Sequence, residues 1–333
     1  MKALYRNLFY LFGIVAVIVM LYGFGVDFTD LRERLVKAGL YLPAVVGVWV
    51  VVYAFNAGAF QAIVNSGTHD KHLDFWHSLK LTISGFAFSY TTPFGVGGAP
   101  CRVMELKAHI GTHRAMSSTA LYSLMHILSH FILWLTGLVV FIVYRFDLMN
   151  VELWTLSAIF LLVFFIVLYF FYYGYRNGMI VKLYSILLYL PFIKRYARKF
   201  WEKNKEAMEQ VDANIAYLHT QPRAFYSSLF MEYVGRLFNA FEFYFILLSL
   251  SIPANYADAL IVLAFSSLIG NILFFFPMQL GAREGSLAMI VRILGFGTAS
   301  IGIFTSFYTR IRELFWIIVG VGLVKIGNKK LMK

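Results

Sequence analysis

Residues 91–111 read TTPFGVGGAPCRVMELKAHIG. Two prolines and three glycines crowd into the first ten positions of this stretch, and Arg102, Glu105 and Lys107 follow. It lies between long apolar runs in a 333-residue chain that is 60% hydrophobic, with a mean hydropathy of +0.71. Irregular backbone and charge are what the hydrocarbon of a bilayer tolerates least, so both together mark protein-lined or water-lined depth rather than lipid-facing surface.

Working outward, apolar runs near bilayer-crossing length recur along the whole chain. The expected fold is all-α: a polytopic membrane protein treated as one transmembrane domain over 1–333, with about six full spans. These fall at about 8–26, 41–65, 114–145, 152–175, 224–250 and 298–326, and two Pro-Gly breaks form re-entrant helical hairpins between them. The formal charge of +12 sits on loops rather than on a compact basic domain, which argues against nucleic acid and for cytoplasmic loops facing anionic headgroups. Cys101 is the only cysteine, so intrachain disulfides and cysteine-rich metal sites are excluded. The first apolar run follows Lys2 and Arg6 without a small-residue cleavage site, and is read as a retained helix.

The second break reads PMQLGAREGSLAMIVRILG over 277–295 and lies under the first without a gap. Pro93 falls on Pro277, Gly97 on Gly281 and Gly111 on Gly295, at a constant offset of 184. The arginines do not match, since Arg102 falls on Ser286 and Arg283 on Ala99. The segment 176–223 is rich in Lys and Arg, which places it in the cytoplasm. If each break turns back to the side it entered from, both termini share that compartment, and the two hairpins enter from opposite faces. That arrangement is an inverted repeat, with units at about 41–145 and 224–326 and peripheral spans at 8–26 and 152–175. It also predicts that Cys101 is accessible from the cytoplasm.

The breaks carry the expected chemistry. A half-helix starting inside the membrane presents unpaired amides and partial positive charge, and Pro100 suits a first turn. Glycines allow close backbone approach. With Arg102 or Arg283 added, each break suits an anion such as phosphate. In FMEYVGRLFNAFEF, Glu232, Arg236 and Asn239 are spaced i, i+4 and i+7 on one helix face. In FYTRIRELFW, Arg310, Arg312 and Glu313 lie about thirteen residues from the basic tail, or roughly 20 Å of helix, too deep to snorkel. Such charges face a bundle interior or a cavity. His126 and His130 stand one turn apart, but Ile127 occupies the place of the glutamate in HExxH, so interhelical hydrogen bonding is the expected role.

On the motifs PFGVGGAPCRVMELKAHIG and PMQLGAREGSLAMIVRILG, the chain resembles the flippase-like family that includes the transmembrane region of lysylphosphatidylglycerol synthases. The resemblance implies two inverted re-entrant hairpins and movement of phospholipid or lipid-linked headgroups between leaflets of the bacterial cytoplasmic membrane. It maps Gly97, Gly98 and Arg102 in the first motif, and Gly281, Arg283 and Glu284 in the second. Bifunctional members carry a soluble aminoacyl transferase after the membrane part; here the sequence ends at KKLMK, so lysyl transfer is not expected.

The leading expectation is a lipid transporter for an anionic phospholipid, without cofactor or metal. Its candidate substrate contacts are Gly97, Gly98, Arg102, Glu232, Arg236, Asn239, Gly281, Arg283, Glu284, Arg310 and Glu313. The alternatives are a membrane lipid-modifying transferase with Glu284 or Glu313 as general base, and an ion or small-solute secondary transporter built on the same repeat logic.

Overall fold

The computed structural model describes residues 38–66, 72–92, 97–177, 205, 209, 222–272, 282–297 and 299–325. The span expected at 8–26, both termini, most of the basic segment 176–223 and residues 93–96 and 273–281 of the two Pro-Gly breaks, including Gly281, lie outside the described residues.

The described residues build nine α-helices: α1 Tyr41–Val64, α2 Phe75–Thr91, α3 Gly98–Ile110, α4 Thr112–Tyr144, α5 Val151–Asn177, α6 Pro222–Ser249, α7 Tyr256–Ile272, α8 Ala282–Ile293 and α9 Ala299–Lys325. Local chemistry sets their starts. Asp74 caps α2 by accepting from the Trp76 N–H at 3.1 Å. Asn150 does the same for α5 from the Leu153 N–H at 2.8 Å. At the start of α7, Asn255 Oδ1 accepts from the Asp258 N–H at 2.9 Å and Asp258 Oδ2 from the Asn255 N–H at 3.1 Å, a reciprocal capping pair. Asp258 then accepts from Arg145 at the end of α4, at 2.6 Å from Nη2. Helices α3 and α8 stop alike: Gly111 (φ +82°) and Gly295 (φ +72°) adopt left-handed backbone, which glycine enters without a Cβ penalty.

Three helices are both long and apolar enough to cross a bilayer, over Tyr41–Val64, Thr112–Tyr144 and Val151–Tyr169. Helices α6 (28 residues) and α9 (27 residues) have the length but carry charge inward. In contrast, α2 and α7 have 17 residues each, roughly 25 Å of helix against about 30 Å of hydrocarbon. Helix α5 is peripheral: only 6% of its apolar window is buried, and Leu156, Leu162 and Phe165 face outward.

The packing has a definite pattern. The most extensive contact is α1 on α6. Around it, α1 meets α2 as α6 meets α7, α2 meets α3 as α7 meets α8, and α3 meets α4 as α8 meets α9. Helix α9 crosses α2 as α4 crosses α7, and α1 meets α4 as α6 meets α9. The two crossings also share a device. A Cβ on Gly137 of α4 would lie 2.2 Å from Ala264 Cβ of α7, and one on Gly320 of α9 would lie 2.6 Å from Ala87 Cβ of α2. Small residues let helix backbones approach where lipid is as apolar as the side chains, so van der Waals contact must hold the pair.

Candidate functional site

Between these helices lies a cavity of about 550 Å³, with walls from α1–α4 and α6–α9. Of the candidate residues, Arg102, Arg236, Asn239, Arg283, Arg310 and Glu313 line it, together with Arg312 and Glu242. Glu232 and Glu284 are bonded to groups on its wall.

On the face predicted on α6, Glu232 and Arg236 are engaged, while Asn239 Oδ1 is buried without a hydrogen-bond partner. Glu232 is wholly buried. It accepts from Asn56 Nδ2 at 2.9 Å, stands 2.8 Å from His126 Nδ1 and lies 3.9 Å from Arg236 Nη2. Arg236 donates from Nε to Ser129 Oγ at 2.6 Å and from Nη2 to the His126 carbonyl at 2.9 Å. The interhelical role expected of His126 is therefore met through Glu232. His130 meets it edge to face, with ring centroids 5.3 Å apart and planes at 89°. Among the described residues no group of three or more His, Cys, Asp or Glu side chains is arranged to hold a metal ion.

Helices α8 and α9 exchange two ion pairs. Arg283 of α8 pairs with Glu313 of α9. Arg310 of α9 donates from Nε to Glu284 Oε1 of α8 at 2.9 Å, and Ser306 Oγ donates to the same oxygen at 2.8 Å. Glu284 is thus held by the arginine of the neighbouring helix rather than by Arg283 beside it in sequence. A third pair was not among the candidates. Arg312 donates from Nε to Glu242 at 2.9 Å, Trp49 Nε1 donates to the other Glu242 oxygen at 2.7 Å, and the guanidinium lies 3.9 Å from the Trp49 ring centroid. A signal was present: Glu242 falls three residues after Asn239, one turn further along α6. Each ion taken from water costs several kcal/mol unless paired and hydrogen-bonded, which is why these charges are held by several bonds each.

Gly97 and Gly98 sit where α3 meets α2. Gly97 donates its N–H to Thr92 Oγ1 at 2.8 Å. A Cβ on Gly98 would lie 2.4 Å from the Gly85 carbonyl oxygen of α2. Both serve the close packing of α3 on α2, and neither is among the described residues that line the cavity. Cys101 is not accessible in this conformation: it is 2% exposed and clusters with Phe88 and Val324.

Comparison with curated proteins and with solved structures gives no match. The buried charges at helical depth and the two glycine-terminated short helices belong to one continuous unit, and a family model spans that unit. The model of the lysylphosphatidylglycerol synthase TM region matches residues 10–322, and the chain belongs to that family of lipid-related membrane proteins.

Proposed function

We propose that this protein moves an anionic phospholipid or lipid-linked headgroup between leaflets of the bacterial cytoplasmic membrane, with both termini in the cytoplasm. The observation that carries the reading is the cavity itself: about 550 Å³ among membrane-length helices, ringed by arginines on α3, α6, α8 and α9. A chamber of that size and charge suits a headgroup, while acyl chains stay in the bilayer. Family membership ties the chamber to lipid chemistry.

In this reading α2–α3 and α7–α8 are re-entrant hairpins of an inverted repeat. Supporting it are the offset of 184 between the motifs, the left-handed glycines that end α3 and α8, the matched Gly–Ala crossings and the exchange pattern of helix contacts. The arms are also shorter than a full crossing, as a hairpin that turns back requires. Opposed hairpins give each leaflet an equivalent entrance, which is how repeat-built transporters alternate access. The transferase alternative is weakened by ion pairing, since Glu284 and Glu313 are both engaged by arginines rather than held ready as bases.

The test is leaflet exchange of a fluorescent anionic phospholipid in proteoliposomes holding the full chain. Exchange well above that of protein-free vesicles is expected. A rate no greater than in protein-free vesicles would remove the reading.

A further inference from the structure

Four of the five arginines on the cavity wall have a carboxylate: Arg236 has Glu232, Arg283 has Glu313, Arg310 has Glu284 and Arg312 has Glu242. The fifth, Arg102, is 8% exposed, and among the described residues it has no ion-paired carboxylate. Its Nε is buried without a hydrogen-bond partner. What it touches is aromatic: Cζ lies 4.8 Å from the Tyr122 ring centroid and 5.7 Å from that of Phe60. A guanidinium stacked on a ring keeps its N–H groups in the ring-parallel plane, free to grip an oxyanion at two points.

We propose that Arg102 is the anchor for the substrate's negative charge, a single phosphodiester-type oxyanion. The proposal rests on the lipid-translocation reading for the source of that anion, and on geometry alone for the site. Among the described residues, five guanidinium groups on the cavity wall are matched by the four carboxylates paired with them, an excess of one positive charge, which one monoanion neutralises.

Two observations separate this from a merely structural cation. The position 184 residues on is Ser286. It is buried at the corresponding place on α8, where its Oγ donates to the Arg283 carbonyl at 2.8 Å. The second short helix therefore packs at that place without a charge. In addition, α2 leaves room for the guanidinium at Gly85, where a Cβ would lie 2.8 Å from Arg102 Nε and 2.9 Å from Cζ. Gly85→Ala therefore displaces the guanidinium while keeping its charge, which makes it a positional test.

The experiment titrates the detergent-solubilised full chain with dihexanoyl-phosphatidylglycerol, dihexanoyl-phosphatidylcholine and inorganic phosphate, for the native protein, Arg102→Gln and Gly85→Ala. The native protein should bind the anionic lipid at least tenfold more tightly than the zwitterionic one. Arg102→Gln and Gly85→Ala should each remove at least tenfold of the anionic affinity and keep the lipid-free unfolding midpoint. Unchanged anionic affinity in both variants overturns the proposal. If Arg102→Gln does not fold, Gly85→Ala decides alone. Inorganic phosphate binding as tightly as the lipid, with the same Arg102 dependence, supports the anion site and removes the lipid as its source. Arg102-dependent lipid binding without leaflet exchange supports the site and overturns translocation instead.

Discussion

Arg312 and Glu242 meet across 70 positions of chain, with Nε at 2.9 Å and Nη2 at 2.8 Å from one carboxylate oxygen. Trp49 closes the group by hydrogen-bonding the second oxygen and stacking under the guanidinium. Three helices, α1, α6 and α9, are thereby fixed at a single charged point.

Breaking that point from one side should be costly. Arg312→Met and Glu242→Gln each leave a buried polar partner behind, and a loss of about 3–5 kcal/mol is expected from removal of one member of a buried pair. Replacing both, as Arg312→Met with Glu242→Leu, should cost less than either single change. Unfolding midpoints in detergent measure this; a double variant that sums the two singles would mean the residues act independently.

Arg283 and Glu284 should separate in transport. Arg283→Ala removes the guanidinium that spans from α8 to Glu313, and leaflet exchange is expected to fall at least tenfold in a protein that still folds. Arg283→Lys should recover little, because an ammonium lacks the planar fork. Glu284→Gln keeps an oxygen for Arg310 and Ser306, and should impair exchange less. A Glu284→Gln defect equal to that of Arg283→Ala would show that the α8–α9 link, not the cation, is what transport needs.

The glycine crossings should respond as a pair. Gly137→Ala places a methyl on Ala264, and Gly320→Ala places one on Ala87. Overpacking of this kind costs about 1–3 kcal/mol. Both variants should lower the unfolding midpoint by similar amounts. A cost at only one crossing would mean that the two contacts, alike in geometry, differ in strain.

Cys101 reports on opening of α3. Packed with Phe88 and Val324, its thiol should react with an impermeant maleimide at least tenfold more slowly in intact inside-out vesicles than after denaturation. Phe88→Ala should accelerate the reaction. Rapid labelling of the native protein, or labelling only from the outside, would contradict the closed packing or the topology respectively.

Spacing made part of the site readable. The i, i+4, i+7 pattern of Glu232, Arg236 and Asn239 states a common helix face, and depth along the last span states that Arg310 and Glu313 turn inward. Partner choice is a different kind of fact. Glu284 had two arginines within reach of its register, and only the crossing of α8 on α9 selects Arg310. Trp49 finds Glu242 over 193 positions, a pairing no local period encodes. The glycines read two ways for a physical reason: a missing Cβ admits a ligand or a second helix equally well. Gly98 admits α2, while Gly85, in the interior of α2 beside Ser84, leaves room for the Arg102 guanidinium.

The exchange pattern of helix contacts has a consequence for ancestry. When the extensive contacts of α1–α4 with α6–α9 among the described residues survive swapping the two sets, each set presents to the other a surface that is complementary to itself, helix for helix. That is the condition for an isologous dimer. Under the proposed inverted repeat, a chain half this length, inserted in both orientations, would have all the partners it needs in a second copy of itself. Fusion would then free each copy to diverge, and the arginine of α3 with its serine counterpart on α8 is the kind of difference that only a fused pair can keep.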